Sequence, residues 1–443
     1  MKKQLFITVF MAAGFSCIAQ PQQAENRIKY TEFDMANGLH VILHEDHATP
    51  IVAVSVLYHV GSKDEDPTRT GFAHFFEHLM FEGSANMERG EYMKLIEGNG
   101  GIINANTSFD RTYYFQVLPS NQLELALWME SERMLQLKID KVGVETQRGV
   151  VKEEMKQSFE NRPYGSWLNE TFGHAYSKHP YHWTPIGQAQ YINEAKLEEF
   201  MEFYKTFYVP NNATLCIAGD INPADAKKLA EKYFSEIPKG TKPIPRNTIV
   251  EPEQKKEVRD TIFDQIQLPG VIMAYHTPAQ GTADYYALSM LSQLLSQGKS
   301  SRFQKSIVDE QQKAVQVIAY NVPTEDPGLV IMLGIAAGGI TADALETSMN
   351  VEIEKVKNEL ISDEEFTKLK NQIENDFIGN FDNIQGIAEN LANYHVYYGD
   401  ANLINTELNR YLKVTREDIQ RVAKKYLANE NRVVLYYLPK TQN

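Results

Sequence analysis

The chain has 443 residues, of which 43% are apolar and 23% charged, with a formal net charge of −14. A length well above about 300 residues outgrows a single core and points to two or three domains, and the ordinary apolar content excludes a mainly disordered chain. The acidic balance lacks the basic excess that a duplex-binding surface needs, which excludes nucleic acid as a partner class.

Lys2 and Lys3 precede the apolar run Leu5–Ala19, and Cys17-Ile18-Ala19 has the small-x-small pattern of a cleavage site. Residues 1–20 therefore read as a secretory signal, and the protein as exported to the periplasm. A lipid anchor at Cys17 is the weaker reading, because Gly14 stands three residues before it. No later stretch approaches the about 20 apolar residues of a membrane span. Once the signal is cut, Cys216 stands alone, so no internal disulfide is expected.

Residues 21–27 are polar and read as frayed. Asn37-Gly38 lies between alternating stretches and predicts a hairpin from Tyr30 to Leu43. The β-branched run Ile51–Val60 predicts a strand, Gly71–Glu82 a helix, Gly98–Gly101 a turn and Thr112–Leu118 a strand. Helical spacing recurs over Leu123–Leu137, over Val144–Glu160 (ended by Pro163) and over Leu197–Phe207, and Ala213–Ala218 reads as a strand. Prolines 238, 243, 245 and 252 mark a semi-extended linker over residues 238–256. Beyond it the first half recurs: Val271–His276 echoes the run that ends at His59, and Lys425–Leu438 echoes Phe207–Ala218. The simplest account is an α+β protein of two homologous α/β-sandwich domains in tandem, each a mostly antiparallel sheet covered by helices. The first spans residues 27–237 and the second 257–443.

The chemistry concentrates in His74-Phe75-Phe76-Glu77-His78. At about 100° per residue, His74, Glu77 and His78 share one helix face, and Phe72, Phe75, Phe76 and Leu79 lie on the other. Two imidazoles at i, i+4 reach one Zn²⁺, which lowers the pKa of a bound water toward about 7. Glu77 is then placed to take the proton and pass it to the leaving amine. A catalytic zinc needs a third protein ligand. Glu153, Glu154 and Glu160 on the Val144–Glu160 helix all qualify by type, and periodicity favours Glu154 near the buried edge.

The stretch Gly71–Ser84 resembles the zinc helix of the inverzincin metallopeptidases, the group of pitrilysin, insulin-degrading enzyme and the mitochondrial processing peptidases. The resemblance runs over nearly the whole mature chain. It implies one Zn²⁺ per chain held by His74, His78 and Glu154, with Glu77 as general base. It also implies that Gly100–Thr107 is an edge on which an extended peptide adds as a strand, with Asn104 and Ala105 as contacts. Two departures stand out. Gln147 replaces a glutamate that the family often carries seven residues before the third ligand; it is expected to orient a ligand by hydrogen bonding. An Arg and a Tyr that polarise the scissile carbonyl in many members are replaced by Val308 and Val315, and Arg302 reads as a helix-start residue. The implied protein is a zinc-dependent endopeptidase acting on unfolded peptides or short polypeptides, with a homologous partner chain supplying the missing Arg and Tyr. The alternative is a non-catalytic structural or peptide-binding subunit of the same fold.

Overall fold

The computed structural model describes residues 28–440. The signal segment, Cys17 and the frayed stretch expected over residues 21–27 lie outside the described residues. Among those described, the strands form two sheets. The first contains β1 (Thr31–Asp34), β2 (His40–Glu45), β3 (Ile51–Tyr58), β4 (Ile102–Thr107), β5 (Thr112–Pro119) and β6 (Ala213–Gly219), in the order β1-β2-β6-β3-β5-β4. The second contains β7 (Val258–Asp264), β8 (Gly270–His276), β9 (Ala314–Asn321), β10 (Leu329–Ala336) and β11 (Arg432–Pro439), in the order β7-β11-β8-β10-β9.

Set β1 aside and the two orders match strand for strand. In each sheet one pair is parallel (β2 with β6, β7 with β11) and every other pair is antiparallel. The duplicated α+β unit expected from the sequence is thus present as duplicated topology. The Asn37-Gly38 turn forms where the hairpin requires it. Gly38 has φ +88, and a Cβ there would come within 2.7 Å of Asn211 Cβ. Asn37 Nδ2 donates to the carbonyls of Phe234 (2.8 Å) and Ile237 (3.0 Å), which ties the turn to the end of the first half.

β3 and β6 are buried along nearly their whole length. Strands covered on both faces read as continuous apolar runs rather than as alternation. One face is covered by local helices, Phe72–Leu79, Leu123–Gln136 and Leu197–Phe207. The other face is covered from far away. The helix Ile384–Tyr398, from the second half, lays Ile387, Ala388, Leu391 and Ala392 on Ile42, Ala53, Leu57, Cys216 and Ala218. The second sheet receives the reciprocal element: helix Trp167–Ala175, from the first half, packs Phe172 with Ile272, Ala274, Ile331 and Leu435. Each half lends one helix to the other's sheet.

The helix expected over Val144–Glu160 is α-helical over Lys141–Met155, with Asp140 as N-cap accepting from Gly143 N at 2.7 Å. It widens to a π-turn over Lys156–Glu160. It begins two residues past Glu154, and a second π-turn lies in the other half, over Gln304–Glu310. No helix among the described residues is long and apolar enough to cross a membrane.

Candidate metal centre

The helix Phe72–Leu79 stands on an aromatic floor. Phe72, Phe75, Phe76 and Leu79 are buried. Phe72 stacks on Phe200 at 4.6 Å and Phe76 on Phe203 at 5.4 Å, both on the Leu197–Phe207 helix. The N-terminal end is held as firmly. Glu65, itself buried, accepts from Gly71 N through Oε2 and from Ala73 N through Oε1, both at 2.8 Å. A carboxylate there satisfies two free N–H groups and complements the helix dipole. With back and end fixed, the open face presents His74, Glu77 and His78.

Glu154 arrives from the Lys141–Met155 helix. Its Oε1 lies 3.5 Å from His74 Nε2, and its Oε2 lies 3.2 Å from His78 Nε2. The two imidazole rings stand 4.9 Å apart at 90°. One ligand atom from each of the three residues falls within 4.8 Å of the others. A tetrahedral shell with metal–ligand bonds of about 2.0–2.1 Å has edges of about 3.3–3.4 Å, so both contacts match the spacing of a zinc donor set. Hydrogen bonds first from His74, then from His78, hold the Glu154 carboxyl well below the usual carboxylate range, against the opposing pull of burial. Glu153 is exposed and accepts from Gln157 instead. His74 Nδ1 is buried without a hydrogen-bond partner among the described residues.

Three supporting contacts lie beyond the reach of sequence spacing. Thr107, at the end of β4, donates through Oγ1 to Glu77 Oε2 at 2.7 Å. Glu82, just past the His74 helix and buried, accepts from Arg89 and from Gln147 Nε2. Arg89 also donates to Asp140 Oδ1 at 3.1 Å, the N-cap of the Glu154 helix. Gln147 thus acts differently from the expectation. Its amide braces the Glu154 helix against Glu82 and makes no hydrogen bond to His74, His78 or Glu154. A glutamate at 147 would set two carboxylates face to face.

Asn104 and Ala105 lie on β4, which pairs with β5 on one side only and forms the edge of the first sheet. Asn104 Oδ1 accepts from Ala105 N at 2.9 Å, and Ile102 is exposed. Thr146, Gly149, Val150, Glu153 and Gln157 form an open surface beside Glu154 along its own helical segment. In the second half, Val308 packs partly buried against the core and Val315 is exposed on β9. Arg302, near the start of a short helical segment, is committed to Glu365 at 3.0 and 3.1 Å.

The family description "Insulinase (Peptidase family M16)" matches residues 40–178, and "Peptidase M16 inactive domain" matches residues 194–373. The zinc protease PqqE of Helicobacter pylori is 32% identical over 414 residues, covering 93% of each chain. A probable mitochondrial-processing peptidase subunit beta of Arabidopsis thaliana is 25% identical, covering 90% of this chain and 76% of its own. Among solved structures, a protease from Helicobacter pylori superposes with a TM-score of 0.89 at 31% identity, covering 93% of this chain and 100% of its own. The periplasmic protease PqqL from Escherichia coli shares the fold, with a TM-score of 0.76 at 20% identity; this chain covers 47% of it.

Proposed function

Because the chain belongs to the insulinase family, peptidase family M16, we propose that it is a zinc-dependent endopeptidase that cuts unfolded peptides or short polypeptides. The observation that carries this reading is the convergence of His74, His78 and Glu154 beside a carboxylate, Glu77, on the same rigid helix. The relatives named zinc proteases support the metal.

His74, His78 and Glu154 would hold the ion, which when bound supplies Lewis acidity at neutral pH. Glu77 takes a proton from the attacking water and returns it to the amine that leaves. Thr107 fixes the Glu77 carboxylate from the adjoining edge strand. The open edge of β4 holds an extended peptide by main-chain hydrogen bonds, so selectivity for side chains is low. Docking there requires the Asn104 side chain to release the Ala105 N–H, which then serves the substrate carbonyl.

Val308 and Val315 offer no donor to a scissile carbonyl, so a homologous partner chain supplies an Arg and a Tyr. A chain spanning about half of PqqL supports a working assembly of two such bodies. The N-terminal segment directs the protein to the periplasm. The test is the purified chain, alone and with its partner, assayed on an unfolded peptide together with Glu77→Gln. We expect the variant to keep stoichiometric zinc and to lose turnover by about 10²–10⁴-fold. A wild-type chain that holds no zinc, or a Glu77→Gln variant of undiminished activity, refutes the assignment.

A further inference from the structure

A second group of metal-ligating side chains lies where the lent helix meets the first sheet. Glu32 on β1, His40 on β2 and His395 in the last turn of helix Ile384–Tyr398 bring one ligand atom each within 4.8 Å of one another. We propose that these three residues form a second site for a borderline divalent cation such as Zn²⁺, one that staples the second half's helix to the β1–β2 hairpin.

Four observations carry the proposal. Glu32 Oε2 lies 3.3 Å from His40 Nε2, the edge length of a tetrahedral shell with bonds of about 2.0–2.1 Å. Behind that ring, Asp34 Oδ1 lies 2.8 Å from His40 Nδ1, the carboxylate–histidine arrangement that orients imidazole ligands toward a metal. Neither Glu32 nor Asp34 has a Lys or Arg ion-pair partner among the described residues. Even a doubly protonated His40 leaves the set at −1, whereas a divalent cation with neutral imidazoles brings it to zero. Finally, His395 sits at the C-terminal end of its helix, where the dipole favours positive charge.

The rings of His40 and His395 stack at 3.4 Å and 5° from parallel. Lone pairs in parallel planes do not meet at one point, so one ring turns as the ion enters. His395 is free to do so: its ring makes no hydrogen bond to any described residue. Two nitrogens and one carboxylate oxygen select Zn²⁺, Ni²⁺ or Cu²⁺ over Mg²⁺ or Ca²⁺.

The test isolates this site from the one above. A chain carrying His74→Ala and His78→Ala is stripped with chelator, dialysed against Zn²⁺ and analysed for bound metal. We expect a single equivalent, abolished by adding His395→Gln, with Asp34→Asn weakening affinity by about 10–100-fold. A second readout uses the wild-type chain titrated with Co²⁺, whose visible absorption should rise in two steps, the later one absent in His395→Gln. If the His74/His78 variant retains no zinc, or if His395→Gln leaves both readouts unchanged, the second site does not exist.

Discussion

β3 and β8 occupy the same place in their sheets, and each is followed by a helix that lies on the sheet, yet only one of those helices carries chemistry. After β3, the eight residues Phe72–Leu79 bury phenylalanines below and present two imidazoles and a carboxylate above. After β8, the fourteen residues Ala283–Ser296 bury Tyr285, Leu288, Met290, Leu291, Leu294 and Leu295. The opposing helices differ in the same sense. Lys141–Met155 brings Glu154 to the imidazoles, whereas Asp363–Gly379 buries Leu369 and Ile373 in the second core and adds a 2.6 Å hydrogen bond from Gln297 to Asp376. The second half thus builds the same architecture without this ligand set. The ligand set is a local exchange of apolar helix–helix contact for polar groups, and the aromatic floor beneath the shorter helix offsets the burial given up above it.

The sharpest way to break this contrast is to remove function from one half only. Glu77→Gln should cut peptide turnover by about 10²–10⁴-fold while the thermal melting curve stays in place. A large loss of stability instead would mean that the polar face also bears the fold. Next in size are the lent helices. Leu391→Ala should cost about 2–5 kcal/mol and Phe172→Ala about 3–5 kcal/mol in denaturant unfolding. Both should move a single shared transition; two separate transitions would show that the halves melt independently.

Gln147→Glu sharpens the account of how the Glu154 helix is held. A carboxylate against Glu82 should weaken zinc binding by about tenfold in a chelator competition, and Glu82→Gln in the same chain should restore it. The smallest effect concerns the joint between the halves. Glu325, on the β9–β10 connection, meets His59 Nε2 at 2.9 Å and Lys63 Nζ at 2.5 Å. Burial pushes its carboxyl up, but His59 and Lys63 outweigh burial and hold it at about 2. A depressed acid contributes stability that is present above its unfolded value near pH 4.5 and is lost as pH falls through about 2. Glu325→Gln should flatten the acid limb of the stability curve in that window and leave the curve above pH 5 parallel to wild type.

Much of this was legible in the residues because it is local. The turn at Asn37-Gly38, the central strands and the shared face of His74, Glu77 and His78 follow from period and turn chemistry within a few residues. What escaped depends on contacts distant in sequence. Helices Trp167–Ala175 and Ile384–Tyr398 present apolar faces to sheets built by the opposite half, so no neighbouring pattern announces them. β4 reads as a Gly-rich turn into a strand, since Ile102-Ile103-Asn104-Ala105-Asn106-Thr107 shows no clean alternation on an open edge. The choice of Glu154 over Glu153 rested on periodicity near a helix end, and the supports from Thr107, Glu82 and Glu65 required the third dimension.

The exchange of helices has a practical corollary for anyone dissecting the gene. A fragment that stops in the proline-rich connection keeps Trp167–Ala175 with nothing to cover and leaves the Ile42–Ala53–Cys216 surface bare to water. Neither piece should express as soluble material by itself.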